Sequence, residues 1–393
     1  MDRKSFLKAG GVGIVLVAGG GVWRAHDQGV FSAGEGPAYE PWKDWRSSPA
    51  DGPLALVRAA ILAASPHNTQ PWLFRVTNSW IELSIDTKRN VGALDPYLRE
   101  AHIGTGCALE NLILAAAANG YVATATLFTG KLGPIPADPK PEIVARVDLA
   151  PGERRESELY GAIPLRHTNR SPYDPKRSLP PAFIEALSRL ASDERDVKLF
   201  LFLDDAARTK IVEVSSAANA EIYSDPAVKR DSDSWIRSNW SAVQKYRDGL
   251  TIDSFGLPPV TTAIAKIVTA GMLRAAVARA QKEGYSDLML SAPLIGMIAL
   301  RDRYDREPNL RAGRVWQRAH LLATARGVAG RPCNEAVEMV DHERLLDKEP
   351  RRLSLLAEIT GDPAWQPTFV FYMGYPTIAG RASPRRPVED VVT

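Results

Sequence analysis

From Leu54 to Ala64 the apolar residues of LALVRAAILAA recur at helical spacing, and Ser65-Pro66 ends the run because a proline disfavours helix at the residue before it. Trp72 to Val76 and Trp80 to Ile85 are short and rich in aromatic and β-branched residues around Thr77-Asn78-Ser79, which predicts a β-hairpin. Ile103 to Ala118 is apolar on most faces, as a buried helix is, and Asn119-Gly120 supplies its stop. Strands are expected at Thr124 to Phe128 and Ile143 to Leu149, joined through the proline-rich stretch Gly133 to Pro141.

Beyond Pro151 the order begins again, with a helix at Glu158 to Ile163, the segment RHTNRSPYDP, a helix at Pro181 to Leu190 and a strand at Val197 to Leu203. This is a weak internal repeat. A mostly helical tract from Ala206 to Ala280 is too long for a loop and reads as an insertion or cover over the core. A strand is expected at Asp287 to Ala292, a second buried helix at Ala312 to Gly327, and a near-continuous apolar strand at Pro367 to Met373. Helices and a sheet in each half give an α+β class, with one half over residues 50–150 and the other over 151–393.

Composition narrows the function classes. A chain of 393 residues with 45% hydrophobic and 24% charged content matches soluble globular proteins. The net charge of +3 is small and its Lys/Arg residues are dispersed, so nothing marks a nucleic-acid footprint. Cys107 and Cys333 are too few and too far apart for a disulfide framework or a cysteine zinc site. HExxH, CxxC and GxxxxGK do not occur, and no metal site is expected.

The first residues carry a basic start (Arg3, Lys4, Lys8) and an apolar stretch from Ala9 to Val22, short for a bilayer span. Residues 1–30 read as a signal peptide or membrane anchor, which implies export to the periplasmic side and membrane contact only through this segment. RKSFLK resembles a twin-arginine export signal with Lys4 in place of the second arginine. An N-terminal helix of the fold is the alternative, and the glycines between Gly10 and Gly21 weigh against it.

Two segments are suited to ligand chemistry. In SPHNTQPW (Ser65 to Trp72) two prolines stiffen the backbone while Asn68 and Gln70 offer amide donors and acceptors to a planar polar ring; a structural turn is the alternative. In RHTNR, alternate positions set Arg166, Thr168 and Arg170 to converge on a phosphate, and Arg385 and Arg386 add cationic groups near the C-terminus; solvated surface arginines are the alternative.

Taken together and in this order, the helix before SPHNTQPW, the RHTNR motif and the closing PRRPVEDVV resemble the nitroreductase-like superfamily, in particular its Acg subfamily of two fused nitroreductase-like halves. The resemblance spans roughly Leu54 to Val392 and implies one FMN held between the halves. It implies that the first half supplies Pro66, His67, Asn68 and Gln70, and the second Arg166, Thr168 and Arg170, with Arg385 or Arg386 closing on the phosphate. The turn at Cys333 and Asn334 corresponds to the family segment that sets backbone amides beside the flavin, or is a plain helix stop. WRSSP (Trp45 to Pro49) lacks the paired arginines and no second Asn-Gln-Pro-Trp loop follows Leu179, so one complete site per monomeric chain is implied. No catalytic side chain is required, and His67 is expected as a hydrogen-bonding spacer. The implied activity is FMN-dependent electron transfer to a small nitroaromatic or quinone-like acceptor, with a redox partner or membrane quinol as donor after export. An FMN-sequestering protein with little turnover, and a flavin-free periplasmic binding protein, are the competing expectations.

Overall fold

A computed structural model of the chain describes residues 22–46, 52–267 and 284–393. The export segment before residue 22, the Ser47–Pro49 part of WRSSP and the end of the helical tract beyond 267 lie outside the described residues.

The first sheet is antiparallel. After α1 (Leu54–Ala60), strands β1 (Trp72–Val76) and β2 (Trp80–Asp86) form the expected hairpin, with Trp72 opposite Ile85 and Val76 opposite Ile81. Thr77 Oγ1 accepts the backbone N–H of Trp80 at 3.0 Å and fixes that turn. The long helix α2 (Arg99–Ala118) follows, then β3 (Tyr121–Leu127) and β4 (Pro141–Pro151), and the strands lie in the order β1-β2-β4-β3. The Asp95 carboxylate begins α2 by accepting the N–H groups of Glu100 and Ala101 at 3.1 and 3.0 Å, and Gly120, at φ +81°, lets the chain leave it.

The second half repeats this plan. Helices α3 (Glu158–Ala162) and α4 (Pro181–Ser188) lead to β5 (Val197–Phe202); the helices α5 (Asp205–Ile222), α6 (Pro226–Asp233), α7 (Trp240–Tyr246) and α8 (Pro259–Ile267) follow, with the short strands β6 (Ile236–Arg237) and β7 (Leu250–Thr251) among them. Strand β8 (Leu294–Leu300), helix α9 (Arg306–Ala325), strand β9 (Ala329–Pro332), helices α10 (Glu335–Leu345) and α11 (Arg351–Thr360) and strand β10 (Gln366–Gly374) complete it. The strands lie in the order β5-β8-β10-β9. In each half the long helix connects the second strand to the third, so chain order and sheet order match across the halves. The α5–α8 tract stands where the first half has only its three-residue hairpin turn.

One strand expectation is corrected. Residues 284–290 are helical, and the strand is Leu294–Leu300, every residue of which is buried. Pro293 separates the two apolar runs, and the wholly buried run is the one that pairs with both β5 and β10.

The halves meet along α2 and α9, which approach backbone to backbone. A Cβ at Gly106 would stand 2.1 Å from the Leu310 carbonyl oxygen, and one at Gly313 would stand 2.0 Å from that of Ile103. Only glycine permits this crossing. Within it, Gln317 Nε2 donates to Asn111 Oδ1 at 2.8 Å. The last residues then cross from the second half to the edge of the first sheet, where Phe74 donates to the Val391 carbonyl at 2.8 Å and Thr393 to that of Phe74 at 2.9 Å.

Candidate functional site

SPHNTQPW sits where α1, the C-terminal crossing and the inserted helices meet. His67, Asn68 and Gln70 take φ values of 44°, 56° and 51°, in the left-handed region that costs non-glycine residues energy. Three such residues within four positions persist because their side chains are held from outside the loop. Asn68 Nδ2 donates to the carbonyls of Gly249 (3.1 Å) and Pro384 (3.0 Å), and Gln70 Nε2 donates to that of Arg247 at 2.9 Å. His67 Nε2 and Ser232 Oγ share a hydrogen bond of 2.9 Å. Gly249, Arg247 and Ser232 all belong to the tract between β5 and β8, whose residues thus contact the loop. Arg89 locks this contact by donating to the Thr69 carbonyl at 2.6 Å and pairing with Asp248, which also holds Arg237 at 2.7 Å.

The cationic residues divide into two groups. Arg166 and Arg385, both nearly inaccessible, converge on the last turn of α1 and the residues after it: Arg166 Nη2 donates to the Leu62 carbonyl at 3.0 Å, and Arg385 Nη2 to that of Ala63 at 3.0 Å. Arg385 Nη1 also donates to Asn68 Oδ1 at 2.7 Å, and its guanidinium lies 4.6 Å from the Trp42 ring centre. Neither forms an ion pair with a carboxylate among the described residues. Burial pushes the Arg166 group down to about 10, and burial with the Arg166 charge disfavours the Arg385 cation strongly. An anion is the complement that such a pair lacks.

Arg170 lies apart, donating to the Ser254 carbonyl at 3.1 Å. Burial, reinforced by the Arg331 charge, pushes it down to about 10. Burial and Arg170 in turn push His67 down to about 4, so this imidazole is neutral at pH 7. RHTNR therefore does not present two arginines to one point; it sends Arg166 toward Arg385, and Arg170 toward His67 and Arg331. His167 stacks edge-on against Trp42 at 4.8 Å and is pushed down to about 3, chiefly by burial and then by Arg166 and Arg385. Thr168 is half-buried. Pro66 opens the single 3-10 turn that carries His67 and Asn68.

The two C-terminal arginines point in different directions. Arg386 turns away from Arg166, donates to the Gln70 carbonyl at 3.2 Å and bonds the Asp390 carbonyl, while its backbone N–H donates to Gln70 Oε1 at 2.8 Å. Arg386 thus clasps the chain end and Arg385 faces Arg166. Cys333 and Asn334 are also placed away from that pair. The Cys333 amide donates to the Val370 carbonyl at 2.8 Å and its thiol lies against Tyr285 at 2.9 Å, while Asn334 Oδ1 accepts from Val370 at 3.0 Å. The Cys333 amide is therefore committed to the sheet rather than free for a flavin.

Sequence reading missed several participants. His320, on α9, lies 3.4 Å from Arg166 Nη1, and Trp42 and Arg331 flank the two cation groups. Ser232, Arg247, Gly249 and Ser254 come from the insertion. Two cavities lie elsewhere: one of about 20 Å³ borders Tyr39, Thr251 and Asp253 beside the Arg385 end, and one of about 350 Å³ is lined by Pro175, Leu203 and Pro293.

No family model matches the chain. In sequence it is 26% identical to acg of Mycobacterium tuberculosis, a protein named as an NAD(P)H nitroreductase, over 85% of this chain and 93% of that one. A second protein of that organism, also named as an NAD(P)H nitroreductase, is 32% identical over 29% of this chain and 32% of its own length. Among solved structures, the FMN-dependent nitroreductase NfnB of Mycobacterium smegmatis in complex with NADPH is 17% identical, covers 60% of this chain and 97% of its own, and has a TM-score of 0.39. A nitroreductase with bound FMN from Desulfitobacterium hafniense is 10% identical, covers 61% of this chain and 98% of its own, and has a TM-score of 0.35. The sequence similarity along nearly the whole of acg supports the nitroreductase-like superfamily for this chain.

Proposed function

We propose that this chain is an FMN-dependent oxidoreductase of nitroreductase type that passes electrons to a small acceptor, nitroaromatic or quinone-like. The observation that carries the reading is the Arg166–Arg385 pair, two buried guanidiniums aimed at one place with no carboxylate among the described residues to neutralise them.

The donor chemistry fits the phosphate of FMN. Arg166 Nε and Arg385 Nε are buried without a hydrogen-bond partner among the described residues, donor capacity that a group with several acceptor oxygens would use. Arg166 and Arg385 would hold the phosphate, while Asn68, braced by Arg385, and the Arg170–His67 end would meet the polar edge of the ring system. When bound, FMN supplies the redox chemistry itself. The chain's part is to bind, orient and exclude water: the strained SPHNTQPW loop fixes the amide groups, neutral His67 adds no charge beside Arg170, and the insertion shields the loop from solvent.

That shielding favours one second reading, an FMN-sequestering protein with little turnover. Purified protein with an FMN absorption spectrum, oxidising from its chemically reduced form with nitroaromatic or quinone acceptors, supports the enzyme. Bound FMN that stays reduced with every acceptor supports sequestration, and colourless protein that refuses added FMN overturns both. We further propose that the chain works on the exported side of a bacterial membrane as a monomer, where a redox partner or quinol replaces cytoplasmic NAD(P)H. Cytoplasmic recovery of tagged protein together with rapid flavin bleaching by NADPH would overturn this.

A further inference from the structure

Exposed apolar side chains gather on two adjoining segments. Val22, Trp23 and Phe31 are 65%, 69% and 71% exposed, and Val260 and Ile264, four residues apart on one face of α8, are 72% and 57% exposed. Two hydrogen bonds hold the segments together: Arg24 Nε donates to the Ile267 carbonyl at 2.6 Å, and Lys266 Nζ donates to that of Gly29 at 2.9 Å. Lys266 is fixed in turn by Asp253 at 2.7 Å, and Gly29 is pressed so closely on Trp240 that a Cβ there would stand 2.4 Å from its ring. The apolar positions are therefore presented by a braced surface.

Single exposed apolar residues need no explanation, whereas five on adjoining segments, two of them aromatic, mark a contact surface. Its occupant is indicated by where the rest of the chain leads. The apolar tract Ala9–Val22, preceded by Arg3, Lys4 and Lys8, ends at Val22, the first residue of this surface. A tract of that composition partitions to lipid with its cations at the headgroups, and Trp and Phe are favoured at the same depth.

We propose that the Val22–Phe31 segment and the Val260/Ile264 face of α8 form a docking surface for a lipid bilayer, which seats the body on the membrane at the point where its N-terminal tract enters. The surface does not depend on the flavin reading. Its consequence for that reading is directional: α8 belongs to the insertion that caps SPHNTQPW, so the cover lies on the membrane side and a lipid-soluble reactant reaches it without crossing bulk water.

The test uses the full chain reconstituted with vesicles of equal parts phosphatidylcholine and phosphatidylglycerol. A polarity-sensitive dye is attached to Val260→Cys, the native Cys107 and Cys333 being buried. Its emission is expected to shift to the blue and to be quenched by nitroxide-bearing lipids. The same dye on Glu153→Cys, at a side chain 84% exposed just beyond β4, stays water-like. Adding Phe31→Glu and Ile264→Glu to the Val260→Cys chain should abolish the quenching with the melting temperature unchanged, since both side chains are solvent-facing. Protein that floats with vesicles while the Val260 dye remains in water overturns the proposal, as does failure to float. A blue shift without lipid, together with the mass of a dimer by light scattering, assigns the face to a second copy and overturns it as well.

Discussion

Replacing Arg166 by methionine removes one member of the buried cation pair while keeping most of its apolar stem. In the ligand-free protein the guanidinium has one good acceptor, the Leu62 carbonyl at 3.0 Å, and a marginal contact with His320 at 3.4 Å. Losing that bond costs about 1 kcal/mol. The Leu62 carbonyl keeps Arg385 within 3.4 Å, and removing one of two like charges relieves the repulsion that disfavours the Arg385 cation. These effects oppose each other, so the unfolding free energy of the flavin-free protein should change by about 1 kcal/mol at most. Binding is different, because a hydrogen bond to a charged phosphate contributes about 1.5–3 kcal/mol. The FMN dissociation constant should therefore rise roughly 10- to 150-fold. Riboflavin, which lacks the phosphate, should bind Arg166→Met about as well as it binds the native chain. Titration calorimetry of both ligands on both proteins measures the difference, with Arg386→Met as control: that residue clasps Gln70 and the chain end, so its loss should lower the melting temperature without separating FMN from riboflavin. Equal losses of FMN and riboflavin affinity in Arg166→Met would refute the phosphate assignment.

At the crossing of the long helices, Gly313→Ala places a methyl group 2.0 Å from the Ile103 carbonyl oxygen and forces backbone apart from backbone, so denaturant unfolding should show a loss of about 3 kcal/mol or an unfolded chain; a loss below about 1 kcal/mol would mean that the helices are not so close. His67 and His102 fold with values pushed down to about 4, and His167 to about 3, from an ordinary 6.5, in each case mainly by burial. Because the unfolded chain then binds more protons, stability is complete above about pH 6.5 and falls as pH drops toward 4, by up to about 3 kcal/mol for a fully buried imidazole. Asp95 and Glu100, pushed up to about 6 and about 7 chiefly by burial, act in the opposite direction, so the test is a difference: as pH falls from 7 to 4 the urea midpoint of the native chain should fall relative to that of His67→Gln, and a constant difference would contradict neutral burial of His67.

How much of this was readable beforehand depended on how local the determinants are. The hairpin at Thr77-Asn78-Ser79 and the helix stop at Gly120 follow from neighbours within a few residues and stand where the pattern puts them, whereas α1 ends at Ala60, before the expected stop at Ser65-Pro66. SPHNTQPW was legible as a stiff polar loop, but its left-handed residues were not, since His67 and Gln70 have no local preference for positive φ and are held there by Ser232 and Arg247, far along the chain. Adjacent arginines could not be told apart either. An extended backbone points Arg385 and Arg386 to opposite sides, and which side faces Arg166 is fixed by the Arg385 N–H bond to the Ala38 carbonyl at 2.8 Å. The run Asp287–Ala292 misled because composition alone does not separate a short apolar helix from a strand. Where a turn is expected after the second long helix, Ala329–Pro332 forms the strand β9, and nothing local reveals that pairing or that the Cys333 amide is taken by Val370.

The matching sheet orders also make a sharp prediction about stoichiometry, because a duplicated frame could in principle carry two anion sites. In the second half the segment between α4 and β5, residues 189–196, occupies the place that SPHNTQPW holds between α1 and β1. There the chain has Glu194, buried, which accepts from Arg311 at 3.0 Å and Arg318 at 2.8 Å and lies 3.4 Å from Arg314. Glu110 of α2 binds Arg314 at 2.8 Å from the other side. Burial alone would raise the Glu194 carboxyl, but the Arg314 charge and the bonds from Arg318 and Arg311 outweigh it and hold the group below the ordinary glutamate range. Here the arginines already have their carboxylates, whereas Arg166 and Arg385 have none among the described residues; only the latter pair gains a partner when a phosphate binds. One flavin per chain is therefore expected, and Arg166→Met combined with Arg385→Met should reduce bound FMN from one equivalent toward zero. Glu194→Gln should weaken the fold at neutral pH, by removing a charge that three arginines share, and leave FMN affinity unchanged. Flavin released by acid precipitation, divided by protein from amino-acid analysis, gives the ratio directly. Two equivalents in the native chain, or one equivalent surviving the double arginine variant, would mean that the Glu194 side also accepts an anion and that carboxylate pairing does not decide which half holds the cofactor.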